Sequence, residues 1–280
     1  MRVLFLIAMA VGCAGCATHG GYEAWLTWEN DLFAGRDGHY TNGVDLGLAA
    51  TPDGAETSWA VGAGQQIYTP TNTRRLDPDP RDRPYAGWSY LRAGLRRRGV
   101  VDQEMAITLG VVGPASGAER AQALAHSASG SKPAEGWSAQ LRNEPTLAAS
   151  YRLSRRVLGI QWAALSTDLR AGLEISLGTP ATSAEVNARL RIGSHALRAW
   201  LTAEGRLRGV GYDVFLDGNL LRRGGPRVKR EPVVAEAVLG LAVELLRGLS
   251  LRYSHTLRTA QFRGQRGMDQ FGSLSLVMRW

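Results

Sequence analysis

The chain has 280 residues, with 33 Lys+Arg against 25 Asp+Glu and a formal net charge of +8. At 44% hydrophobic and 21% charged residues it is too apolar for wholesale disorder. Both cysteines, Cys13 and Cys16, precede residue 17, which excludes a disulfide framework or a cysteine zinc site in the remainder. No apolar run reaches about 18 residues, so no helical membrane span is expected. A membrane β-barrel stays open, because its strands are only half apolar.

Met1-Arg2, the apolar run Val3 to Val11 and the small residues through Ala17 predict a signal peptide over 1–17. Ala14-Gly15-Cys16 resembles the end of a lipoprotein box; ordinary cleavage near Cys16 or Ala17 is the other reading. Residues 18–280 are expected to form a single β-barrel domain.

From there the chain reads as strands with one apolar and one polar face. Alternation predicts strands near 22–32, 40–50, 58–68, 86–97, 103–112, 146–154, 158–177, 184–192, 196–217, 233–246, 249–259 and 270–280. In 197–208, Leu197, Ala199, Leu201, Ala203, Gly205 and Leu207 share one face, while Arg198, Trp200, Thr202, Glu204, Arg206 and Arg208 share the other. A soluble sandwich alternates too. Three features favour the membrane: a charged, glycine-bearing polar face, a final alternating segment ending on Trp280, and an even strand count with short gaps after even strands and mostly longer gaps after odd ones. The expected fold is all-β, a twelve-stranded antiparallel outer-membrane barrel. Its long loops lie on the extracellular rim, and a short helix over 117–127 lies in loop 3.

Polar motifs collect on that rim. Asn30-Asp31 ends strand 1 and Tyr40-Thr41-Asn42-Gly43 begins strand 2, so they face each other across a hairpin. Loop 2 carries Tyr68, Arg74, Arg75 and Asp82-Arg83; in the loop 3 helix, Gln122 and His126 are four apart and share a face. Each has a plainer reading. Asn-Asp at a strand end is ordinary turn chemistry, the arginines are solvated charge, and the tryptophans form interfacial girdles. In a regular pleat Asn30 and Asp31 point to opposite faces unless a bulge or the strand end re-aims one.

The ordered set Asn30-Asp31, Tyr40-Thr41-x-Gly43, Gln65-x-Ile67-Tyr68-x-Pro70, Asp82-Arg83, Gly110-Val111-Val112-Gly113-Pro114, Gln122-x-x-x-His126 and Trp137-x-x-Gln140 resembles the outer-membrane lipid A 3′-O-deacylases, the LpxR-like proteins, over nearly the whole exported chain. The resemblance implies a twelve-stranded barrel that hydrolyses the ester-linked 3′ acyloxyacyl group of lipid A, with calcium at the site. It maps the site onto Asn30, Asp31, Thr41, Gln122 and His126, with Arg74 or Arg75 as the basic residue; Tyr68, in loop 2, is expected with these arginines to bind substrate. One position departs: Lys132 stands where the family pattern has an acid. Glu135 or Glu144 is the candidate replacement beside Asp31 for a cation that takes six to eight oxygens; alternatively the Lys132 ammonium replaces part of the metal's charge.

The chemistry fits these residues independently. No Gly-x-Ser-x-Gly elbow is present, and no cysteine survives export. A neutral imidazole, His126, is suited to deprotonating water, with the Asn30 amide or a calcium on Asp31 facing the oxyanion. The positive balance suits a phosphorylated lipid, since Arg forks match phosphate oxygens. Expected partners are lipopolysaccharide, outer-membrane lipids and the barrel assembly machinery. Nucleic acid is excluded, because the basic residues are dispersed over an exported chain. The alternatives are a catalytically degenerate structural or channel barrel and a phospholipase-type barrel.

Overall fold

The computed structural model describes residues 20–35, 38–222 and 224–280, so the signal-peptide reading lies outside the described residues. Those residues form twelve antiparallel strands that close on themselves, each pairing with its chain neighbours and β1 with β12. The strands are β1 Gly20–Asn30, β2 Tyr40–Pro52, β3 Thr57–Tyr68, β4 Ala86–Arg97, β5 Val101–Val112, β6 Glu144–Trp162, β7 Leu165–Gly178, β8 Ala181–Ser194, β9 Ala199–Asp213, β10 Val233–Leu246, β11 Leu249–Arg258 and β12 Asp269–Arg279. Closure removes every open edge, the condition for strands to cross hydrocarbon.

The two faces divide as alternation requires. Leu91, Ile107, Leu109, Ile175, Leu201, Leu207 and Leu239 stand exposed on the outside of the wall. Inside, Glu204 accepts from Arg189 and Arg206 at 2.8 Å each, Glu236 accepts from Arg258 at 2.7 Å, and Glu185 from Arg208 at 2.8 Å. Lumen charges are thus largely met by one another, which offsets the cost of holding them between low-dielectric walls.

Several boundaries differ from the alternation pattern. The break expected at 155–157 lies inside β6. The β6–β7 register shifts between Arg156 and Leu158, and the resulting bulge sends Arg156 to Asp168 in the lumen. The turn falls at 163–164 instead. The long gap expected at 178–183 shrinks to 179–180, and the strand expected to reach 217 stops at Asp213. There the Asp213 carboxylate accepts from Phe215 N (2.9 Å) and caps a helical turn, Val214–Asp217, numbered α2 below.

Five connections are long: 31–39, 69–85, 113–143, 214–232 and 259–268. They share one end, the loop rim. The other end carries only short turns. Within the rim, Tyr40, Tyr68, Phe215 and Phe271 pack with Ala86, Val112, Leu141 and Val214 into a buried plug across the lumen. Three of the tryptophans expected in girdles turn inward: Trp25 to Asp45, Trp88 to Thr146 and Trp137 to Gln122.

Candidate functional site on the loop rim

β1 stops at Asn30, whose Oδ1 accepts from Leu32 N (2.8 Å) and caps a 3₁₀ turn over Asp31–Ala34. The strand end thereby re-aims Asp31. Its side chain turns in, 2% exposed, and its Oδ2 accepts from Gly38 N (2.8 Å). The Tyr-Thr-x-Gly sequence has a steric reason. The Tyr40 ring folds over Gly43 to donate to Glu29 (2.5 Å), and a Cβ on residue 43 would lie 2.1 Å from that hydroxyl. Thr41 Oγ1 lies 2.7 Å from Thr69 Oγ1, at the start of loop 2.

Between these groups sits a residue that the sequence reading passed over. His39, 6% exposed, places Nδ1 at 2.7 Å from Asp269 Oδ1 and Nε2 at 3.1 Å from Asp82 Oδ1 and 3.0 Å from Thr71 Oγ1. Burial works against a charged imidazole, but the bonds to Asp269 and Asp82 outweigh it and raise the pKa. Burial also opposes ionisation of Asp82, yet His39 and the Thr71 and Arg83 amides hold its carboxyl below the usual range. Arg83, fully buried, lays its guanidinium over the Tyr68 ring at 4.3 Å and donates to Gln261 (3.2 Å). Loop 1, loop 2 and the start of β12 are therefore joined through one imidazole. The Asp82-Arg83 pair in the motif set was the one available sequence signal; nothing local marked His39 or Asp269.

Loop 3 carries α1, Ala118–Ser129, ended by Gly130 in the left-handed region. Its start is fixed from below, where Gln65 and Ser89 both donate to Ser116 O (2.8 and 2.7 Å). Ala118 rests on Gly87, where a Cβ would lie 2.1 Å from its own. Gln122 is buried and accepts from Trp137 Nε1 (2.7 Å); Trp137 packs on Tyr85 at 5.0 Å. The Tyr85 hydroxyl and Glu135 N both donate to Thr73 O (3.1 and 2.9 Å). Loop 2 thus holds the Asp31–Thr41 hairpin at one end and α1, with Gln122 and His126, at the other.

Placement of the remaining candidates is mixed. His126 lies in the last turn of α1, partly exposed. Arg74 and Arg75 are exposed; Tyr68, expected on a substrate surface, lies in the plug with its hydroxyl on Gln66 (3.0 Å). Lys132 and Glu135 are exposed. Glu144 is spent on the 214–232 connection, accepting from Leu220 N (3.1 Å) and Leu221 N (2.9 Å). Among the described residues no group of three or more His, Cys, Asp or Glu is placed to hold a metal. Two carboxylates do converge. A Cβ on Gly38 would lie 3.9 Å from both Asp31 Oδ2 and Asp269 Oδ1, and Asp269 Oδ2 is buried with no hydrogen-bond partner. Hard carboxylate oxygens are the donor type calcium takes, and here Asp269, not Glu135, is the buried acid beside Asp31.

Solved barrels resemble this one to different degrees. LpxR from Salmonella typhimurium matches with a TM-score of 0.83 at 16% identity, covering 91% of this chain and 99% of that one; at such identity the likeness shows the fold. The β-domain of the Bordetella autotransporter BrkA matches at a TM-score of 0.46 and 12% identity, over 92% and 98% of the two chains. A search of the curated proteins finds no match. The family model described as outer membrane protein LpxR matches residues 2–280, and the chain belongs to this family of outer-membrane proteins.

Proposed function

We propose that this barrel removes the ester-linked 3′ acyloxyacyl chain of lipid A at the outer face of the outer membrane, with His126 as general base. The reading is supported by one observation above others: loop 2 ties the hairpin of Asn30, Asp31 and Thr41 to the helix of Gln122 and His126. In the proposed reaction the neutral His126 imidazole takes a proton from water. The hydroxide adds to the ester carbonyl, and the C–O bond to the sugar breaks. The imidazolium returns its proton to the sugar oxygen, leaving a 3′ hydroxyl and a free acid.

Gln122 is engaged by Trp137, so its part is to fix the helix that carries His126. Asn30 Nδ2 has one long contact, to Asn42 Oδ1 at 3.5 Å, and is the amide that would donate to an oxyanion. Asp31 and Asp269 would hold calcium, which when bound supplies positive charge for the developing oxyanion. Arg74 and Arg75, on the exposed part of loop 2, would meet lipid A phosphates.

Lipid A mass spectrometry of cells with and without the protein tests the proposal. Loss of the 3′ acyl chains that disappears in His126→Ala supports it. Full deacylation by that variant removes His126 from the role. Unchanged lipid A with lysophospholipid release points to a phospholipase, and no lipid change to a degenerate barrel. The aromatic plug across the lumen weighs against an open channel.

A further inference from the structure

The lumen below the plug is a cavity of about 1240 Å³ lined by ten arginines. Eight of them have a carboxylate within 4.0 Å. Arg191 and Arg252 have none among the described residues. Both lie toward the turn end, Arg191 three residues from the end of β8 and Arg252 three residues into β11. The acids within electrostatic reach, Asp168 for Arg191 and Glu23 for Arg252, are already engaged by Arg156 and by Arg279. Arg252 also feels the charges of Arg279, Arg191 and Arg189. Ala242, Gly248 and Ser250 line the same cavity, as do Glu104 and Glu244, the latter accepting from Gly248 N at 3.1 Å. The Arg191 guanidinium lies over the Trp200 ring at 4.8 Å, which orients it and leaves its N–H edge to donate.

Arginines that lack an ion-pair partner of their own and lie among further arginines favour an anion beside them. We infer that Arg191 and Arg252 form a binding site for an oxyanion of the phosphate class, reached from the turn end of the barrel. Two guanidinium forks match tetrahedral oxygens, and the plug closes the route from the loop rim. The site is separate from the loop rim and does not depend on the deacylase reading.

Thermal melting of the folded barrel in a non-ionic detergent tests it, with inorganic phosphate compared against chloride at equal ionic strength. The expected result is a higher Tm in millimolar phosphate. In Arg191→Gln/Arg252→Gln that rise is lost, or needs about tenfold more phosphate or beyond. In chloride alone the double variant should melt no lower than wild type, because no carboxylate is stranded. Arg252→Lys, which keeps the charge, should retain a weakened rise and serves if the double variant does not fold. A rise seen with dihexanoyl phosphatidylglycerol but not with phosphate assigns the site to a phospholipid headgroup. Equal melting in phosphate, phosphatidylglycerol and chloride overturns the inference, as does a phosphate rise undiminished in the variants.

Discussion

Replacing His39 with alanine removes the group that joins loop 1, loop 2 and β12. Asp269 is 6% exposed, and its Oδ2 already lacks a partner, so the variant leaves both of its oxygens without a side-chain donor. Stranding one partner of a buried pair costs about 3–5 kcal/mol. Arg83 and Arg258 still act on Asp269, which favours the lower end, about 3 kcal/mol. Asp82 keeps the Thr71 and Arg83 amides and is more exposed, so its share is about 1 kcal/mol or less. The barrel wall should stay intact, so the loss is read locally, by hydrogen exchange at Gly38, Thr69 and Thr71. A change of about 3 kcal/mol corresponds to roughly 100-fold faster exchange where local opening limits it. His39→Ala/Asp269→Asn should recover much of the loss, because it removes the stranded charge. The pH dependence has a defined sign. His39, with its pKa raised, contributes fully below the ordinary imidazole value of about 6.5 and loses its contribution as pH rises through the raised value. Asp82, with its pKa depressed, contributes above the ordinary carboxylate range and loses its share as pH falls through the depressed value. Protection of the three amides should therefore peak between those ranges in wild type; in the variant the fall at high pH should be lost, while a weaker fall at low pH stays with Asp82 and its two amide donors. Unchanged exchange in His39→Ala, or no recovery in the double variant, refutes the clamp.

Other sites give distinct outcomes. Gly87→Val should displace α1, since even a Cβ there meets Ala118 and Ser116 Oγ at 2.1 and 2.3 Å; lipid A deacylation should be lost while the heat-modifiable barrel band persists on gels. Trp137→Phe strands the buried Gln122 carbonyl at about 1–3 kcal/mol and should speed protease cleavage within 118–129. Glu144→Ala frees the Leu220 and Leu221 amides, with about 2 kcal/mol of local loss, visible as faster exchange at those two positions and unchanged exchange in β6.

The barrel was legible because two solvents act on one wall. Lipid outside and a wet lumen inside impose period 2 on nearly every strand, so the faces of 199–208 could be assigned from spacing alone, although Leu197 and Arg198, read onto the same strand, lie in the turn before it. Where reading failed, a local exception outweighed a sound rule. A gap was expected at 155–157, but a bulge let the charge of Arg156 reach Asp168 without ending the strand. The strand at 196–217 overran because Val214, Phe215 and Leu216 continue an apolar pattern, while what stops the strand is a cap from Asp213 and burial of those residues at the plug. At the rim, the hairpin and helix residues were visible as motifs because each pair is close in sequence: Asn30 with Asp31, Gln122 with His126. His39 was invisible for the opposite reason. Its partners lie 43 and 230 residues away, and no periodicity connects a loop histidine to the first residue of the last strand. Clamps of this kind arise because barrel closure brings β12 back beside β1, making neighbours of the chain's two ends. That long-range closure also sets Asp269 beside Asp31.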